Sequence, residues 1–138
     1  RTRAVAAVHA GWRGAADRIA ERAMARMMAA FGTRGADCIA AIGPAICADC
    51  FEVGAEVVAR FQTGFPYGDR LISNVHDAKG HIDLKLACQI QLELCGVAPE
   101  AIHVSNACTL CEPDRYFSYR REGARAGRIL SVVGARAC

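Results

Sequence analysis

The chain has 138 residues, 53% of them apolar and 22% charged, with a formal net charge of +3. That size and mix suit one globular domain with an adequate core, although 27 of the apolar residues are alanine. No run approaches the ~18 consecutive apolar residues of a membrane span, no charged-then-apolar leader opens the chain, and the mild charge calls for neither a nucleic-acid nor a membrane partner, so a cytoplasmic chain is expected.

Residues 4–8 (Ala-Val-Ala-Ala-Val) form an apolar run that predicts a buried strand. The run ends at His9-Ala-Gly-Trp-Arg-Gly14. From Ala15 to Phe31 apolar side chains return every three or four residues, which predicts one amphipathic helix stopped by Gly32 and Gly35. A second buried strand is expected at 38–42, and a helix over 52–61 with Val53, Val57, Val58 and Phe61 on one side. Residues 70–82 hold a weak strand and an exposed turn, Asp77-Ala-Lys-Gly80. Asp83 is placed to cap a helix lasting to Cys95, with Gly96 as its stop. Strands at 101–105 and 129–133 complete an α/β pattern, read as a single layered domain of mixed sheet with flanking helices over 1–138. Because the chain opens inside a core-like segment, an N-terminal part is expected to be missing.

Three constellations carry candidate chemistry. His9 and Arg13 stand at an expected strand-to-helix junction, where ligands gather in α/β folds; His9 can ligate a metal, and the planar Arg13 fork suits phosphate or carboxylate. The bland alternative is a hydrogen-bonded histidine beside a core tryptophan. The eight cysteines include two C-x-x-C pairs, Cys47/Cys50 and Cys108/Cys111. Each pair has the spacing with which one metal accepts two sulfurs from a tight turn. The stretch between the pairs far exceeds the ~15–20 residues of a compact zinc ribbon, so a shared site requires the fold to bring two distant loops together. Otherwise these are structural or incidental thiols. Finally, Tyr116, Phe117 and Tyr119 interleave with Arg115, Arg120 and Arg121, a pattern that fits base stacking with phosphate binding or an edge strand with one wet face. His76, His81 and His103 have no partner by spacing.

Four stretches taken together resemble the laccase-domain family, described variously as polyphenol oxidase, peptidoglycan editing factor and zinc-dependent purine nucleoside phosphorylase. They are Val8-His-Ala-Gly-Trp-Arg-Gly14; Gly43-Pro-Ala-Ile46 with Cys50-Phe-Glu-Val-Gly54; His81-Ile-Asp-Leu84 leading into 92–97; and Cys108-Thr109 with Tyr116-Phe-Ser-Tyr-Arg-Arg121. The resemblance implies an α/β zinc enzyme that phosphorolyses adenosine, inosine and methylthioadenosine and deaminates adenosine. It also implies that His9 is the last of three metal ligands. The other two, in Gln-Val-His-Gly and Thr-Ala-Asp-Cys contexts absent from this sequence, are expected N-terminal to Arg1. Arg13 and Arg120 are the candidates to neutralise phosphate.

The partners implied are a purine nucleoside and phosphate, with the oligomeric state open. The family mechanism needs neither Cys47 nor Cys111, which leaves room for a second, structural metal site at Cys47, Cys50, Cys108 and Cys111. Alternatives to the phosphorylase reading are editing of peptidoglycan precursors, a copper-dependent polyphenol oxidase, and a non-catalytic domain held by structural zinc.

Overall fold

The computed structural model describes residues 3–135, so Cys138 lies outside it. Five helices and five strands follow one another as α1 (Trp12–Ala16), α2 (Ile19–Phe31), β1 (Ala40–Ile42), β2 (Glu52–Gly54), α3 (Ala55–Gly64), β3 (Ile72–His76), β4 (Lys79–Ile82), α4 (Leu84–Leu94), β5 (Ile102–Val104) and α5 (Tyr119–Glu122). The class is the mixed α/β expected from the sequence. The described chain divides into two units, one from residues 3–43, 88–104 and 130–135, the other from 44–87 and 105–129.

In the first unit β1 and β5 pair in parallel, with Ala40 opposite Ile102 and Ile42 opposite Val104. Its buried side chains include Ala15, Cys88, Ile90, Gln91, Val97 and Ile102. The single helix expected over 15–31 is two helices. Arg18 sits between them with φ 58°, in the left-handed region that a non-glycine residue seldom adopts. Its guanidinium lies 3.6 Å from Glu21 on the first turn of α2. Helical periodicity runs through this break because the side chains on both sides keep their spacing; the backbone conformation of one residue is invisible to it. α2 ends at Gly32 with φ 64°, as expected of a left-handed helix stop.

The strands expected at 4–8 and 129–133 do not form. Val5 and Val8 are about half exposed, and Leu130 and Val132 are 87% and 83% exposed. An apolar run becomes a strand only where a neighbour pairs its backbone groups, and no described strand lies beside either run.

In the second unit β2, β4 and β3 form an antiparallel sheet in that order. The helix expected over 52–61 starts later, because Glu52–Gly54 pairs with Lys79–His81 as β2, and α3 begins at Ala55. Val57, Val58 and Phe61 are buried as expected, together with Phe65, Leu71, Ile82 and Leu84. The turn between β3 and β4 is a two-residue loop, Asp77 and Ala78, both with positive φ (47° and 61°), the backbone shape that suits the twist of a tight hairpin. Asn74, also at positive φ, lies where the β3–β4 register shifts between Ser73 and His76. Asp83 caps α4 as expected, its Oδ1 accepting the Leu86 N–H at 2.9 Å. No described helix is long and apolar enough to cross a membrane.

Candidate functional site

Both C-x-x-C pairs lie in the second unit, and the fold brings their loops together. Cys47 precedes a 3-10 turn, Ala48–Cys50, closed by Cys50 N–H donating to the Cys47 carbonyl at 3.1 Å. On the other loop Cys108 bridges in parallel to Ala45, and the Thr109 N–H donates to the Ala45 carbonyl at 3.2 Å. Glu112 closes the second turn from both directions: its N–H donates to the Cys108 carbonyl, and its carboxylate accepts the Cys108 N–H, each at 3.1 Å. The four sulfurs consequently all lie within 4.8 Å of one another.

Cations brace these loops from behind. Lys85 donates to the carbonyls of Ser105 and Ala107 at 2.8 and 3.1 Å. Arg121 donates to the carbonyls of Thr109, Leu110 and Tyr116 at 3.1, 3.2 and 2.7 Å, and its charge is answered by Glu122 at 2.7 Å. The sequence suggested Arg121 for phosphate or for a wet strand face, not for bracing a loop, and did not single out Glu112 or Lys85. For Glu112, an acidic residue directly after a C-x-x-C turn was the available signal; Lys85 lies 20 and 22 residues before the carbonyls it contacts, and no spacing rule reaches them.

The thiols do not share one environment. Cys50 and Cys111 approach to 3.4 Å sulfur to sulfur. The Cys47 N–H points at the Cys108 sulfur from 3.3 Å. Burial opposes ionisation of Cys108, yet N–H donors from Cys47, Cys111 and Leu110 outweigh it and bring that thiol down to about 6. Contact with Cys47 and then Cys111 pushes the Cys50 thiol the other way, well above the ordinary range.

The segment 112–123 is not the edge strand that was one expectation for it. It folds as turns followed by the single-turn α5. Arg120 donates to the Glu52 carbonyl at 2.9 Å, with its guanidinium 5.3 Å over the Phe51 ring. One of its amino groups is thus committed to the backbone.

His9 and Arg13 lie in the first unit, on a segment that enters α1 without a strand before it. His9 is exposed. A methyl group added at Gly11 would come within 3.1 Å of its Nε2, so any larger residue there would crowd that nitrogen. Arg13 is also exposed, its guanidinium stacked 4.4 Å over the Trp12 ring, which restricts the fork without consuming its donors. Among the described residues one set of three or more metal-ligating side chains comes together, the four cysteines, and His9 is not in it.

The chain is similar to several known proteins. A purine nucleoside phosphorylase of Bacteroides thetaiotaomicron is 43% identical over 94% of this chain and 48% of its own length. A protein from an unknown prokaryotic organism, adenosine deaminase RL5, is 43% identical over 94% of this chain and 49% of its own. The crystal structure of YlmD from Geobacillus stearothermophilus superposes with a TM-score of 0.76 at 36% identity, covering 83% of this chain and 43% of that one. The chain spans about half the length of the relatives it matches. The sequence pattern of the family described as multi-copper polyphenol oxidoreductase laccase matches residues 1–136.

Proposed function

The chain belongs to the multi-copper polyphenol oxidoreductase laccase family, and from that membership we propose that it is part of a zinc-dependent purine nucleoside phosphorylase that also deaminates adenosine. The observation that carries this reading is the 43% identity to relatives named for those two activities. Adenosine, inosine and methylthioadenosine are the proposed nucleosides and inorganic phosphate the second substrate.

Within this chain the work falls to exposed groups at the start of α1. Arg13, held over Trp12, presents a bidentate fork to phosphate, and its charge offsets that of the anion as the oxygen nucleophile nears the anomeric carbon. Arg120 keeps donors beyond the one given to Glu52 and is the second candidate for the anion. His9, exposed and beside a glycine whose replacement would crowd its Nε2, is proposed as one metal ligand. A catalytic zinc takes about three protein ligands and supplies an activated water or a Lewis acid. The described residues bring no set of three such side chains together that includes His9. They do not by themselves fit a catalytic zinc, and the remaining ligands are proposed to come from outside them.

Copper chemistry of the multicopper kind needs several metal ions with imidazole ligands. A single mononuclear site with His9 as one ligand suits zinc better than that several-copper chemistry.

The test is product analysis by chromatography on a protein of the relatives' length, given adenosine with zinc, with and without phosphate. Adenine appearing only with phosphate, and inosine in both cases, is expected. Absence of turnover of adenosine, inosine and methylthioadenosine would overturn the reading and turn attention to peptidoglycan precursors.

A further inference from the structure

We propose that Cys47, Cys50, Cys108 and Cys111 hold one zinc ion in a closed, four-sulfur site that fastens the 44–51 and 105–112 loops to each other. This site is separate from any metal at His9 and does not depend on the proposed phosphorylase activity.

The geometry points to a metal before any chemistry is invoked. A tetrahedral zinc with Zn–S bonds of ~2.3 Å sets its sulfurs ~3.8 Å apart. Here the Cys50 and Cys111 sulfurs are 3.4 Å apart and all four lie within 4.8 Å, so the observed spread brackets that edge length. Each C-x-x-C contributes two sulfurs from one tight turn, closed by the Cys47 carbonyl on one loop and the Cys108 carbonyl on the other. The loops are joined by the Ala45 to Cys108 bridge and held by Glu112, Lys85 and Arg121, so the backbones that carry the four sulfurs are positioned by hydrogen bonds. Such outer partners orient ligands and tune the site. The Cys47 N–H aimed at the Cys108 sulfur offsets the negative charge a thiolate carries.

Two other uses of the cluster fit less well. A disulfide joins sulfurs at ~2.05 Å and would unite Cys50 with Cys111 while leaving Cys47 and Cys108 idle beside it. A catalytic metal keeps an open position, whereas four protein sulfurs fill zinc's tetrahedron. Tetrahedral sulfur sites also accept iron, but zinc stands above ferrous iron in affinity and imposes no electronic preference on an uneven set of sulfurs. Binding releases the protons of the thiols that are not already ionised, so affinity falls in acid.

The first measurement is metal content by mass spectrometry on the native protein, a His9→Ala variant and a His9→Ala/Cys47→Ser/Cys111→Ser triple variant, purified without added metal. The expected result is one zinc per chain in His9→Ala, none once Cys47→Ser and Cys111→Ser are added to His9→Ala, and no change with nucleoside or phosphate. Zinc retained when all three substitutions are combined, or iron in its place, would overturn the assignment. Because the triple variant can fail to fold, the native protein is also exchanged with cobalt(II). A sulfur-to-cobalt charge-transfer band with tetrahedral d–d absorption is expected, with four thiols becoming reactive to an organomercurial as the metal leaves. A spectrum without the charge-transfer band, or an intact mass lighter by two hydrogens with a peptide map joining Cys50 to Cys111, would sink it.

Discussion

The carboxamide of Gln91, fully buried in the first unit, donates to the carbonyl of Ala15 at 2.8 Å and accepts the N–H of Ala20 at 3.3 Å. One side chain therefore serves the end of α1 and the beginning of α2 at once. Ala20 lies in the first turn of α2, where backbone N–H groups have no partner within the helix. The helix break at Arg18, close to His9 and Arg13 in sequence, is held open by an amide from α4.

Replacing Gln91 by leucine keeps the volume and removes both bonds, leaving the Ala20 donor without its partner. A loss of about 1–3 kcal/mol is expected in urea denaturation, with faster hydrogen exchange at Ala20. An unchanged midpoint together with unchanged exchange at Ala20 would mean the amide is only filling space.

Arg13→Ala is expected to raise the KM for phosphate by roughly 10–100-fold, the loss of one charge-assisted contact of about 1.5–3 kcal/mol, while the KM for nucleoside changes little. Arg13→Lys restores charge but not the planar fork, so it recovers only part of the effect. Equal changes in both constants would remove Arg13 from the anion.

Gly35 is required by proximity. A methyl group there would come within 2.0 Å of the Cys95 carbonyl oxygen and 2.7 Å of the Gly96 carbonyl carbon, both backbone atoms. Gly35→Ala is expected to lower stability by about 1–3 kcal/mol, because the two backbones must move apart. A thermal melt indistinguishable from that of the native protein would show that the turn yields freely.

Across the second sheet, Lys79 donates to Glu52 at 3.0 Å and holds that carboxyl below its ordinary range, with His81 and His76 adding to the effect. A carboxyl whose folded value is lowered stabilises the fold above its unfolded value and ceases to do so as pH falls through the folded one. Hydrogen-exchange protection of the β2 and β4 amides should therefore weaken as pH falls through and below the carboxylate range, and Glu52→Gln should flatten that dependence. The pair is solvent-exposed, so salt should weaken it too. A Glu52→Gln profile superimposable on the native one would show that the pair has no part in it.

What was legible in the sequence was local or strictly periodic. The Asp83 cap, the Gly32 and Gly96 stops, the strands near 40–42 and 102–104 and the buried face of α3 depend on residues near each other in the chain. Gln91 was visible as a polar residue on an apolar stripe, but its partners lie 71 and 76 residues away and no spacing rule reaches them. Glu52–Gly54 followed the helical apolar pattern of α3 and became a strand because β4 offered an edge. The apolar runs at 4–8 and 129–133 failed as strands for the opposite reason, having no described edge to join. For the cysteines, spacing named the two pairs, and the fold shows that they meet, through the bridge from Ala45 to Cys108 and the sulfur contacts across it.

That meeting has a consequence in time. Cys47 and Cys108, like Cys50 and Cys111, stand 61 residues apart. During synthesis the first pair emerges and waits while α3, the β3–β4 hairpin, α4 and β5 are made. Closing a loop of that length costs about 4 kcal/mol of chain entropy in a random coil, which the folding of the intervening elements and the proposed zinc must together offset. A chain that ends before Cys108 carries Cys47 and Cys50 but neither of their partners, half of the proposed ligand set.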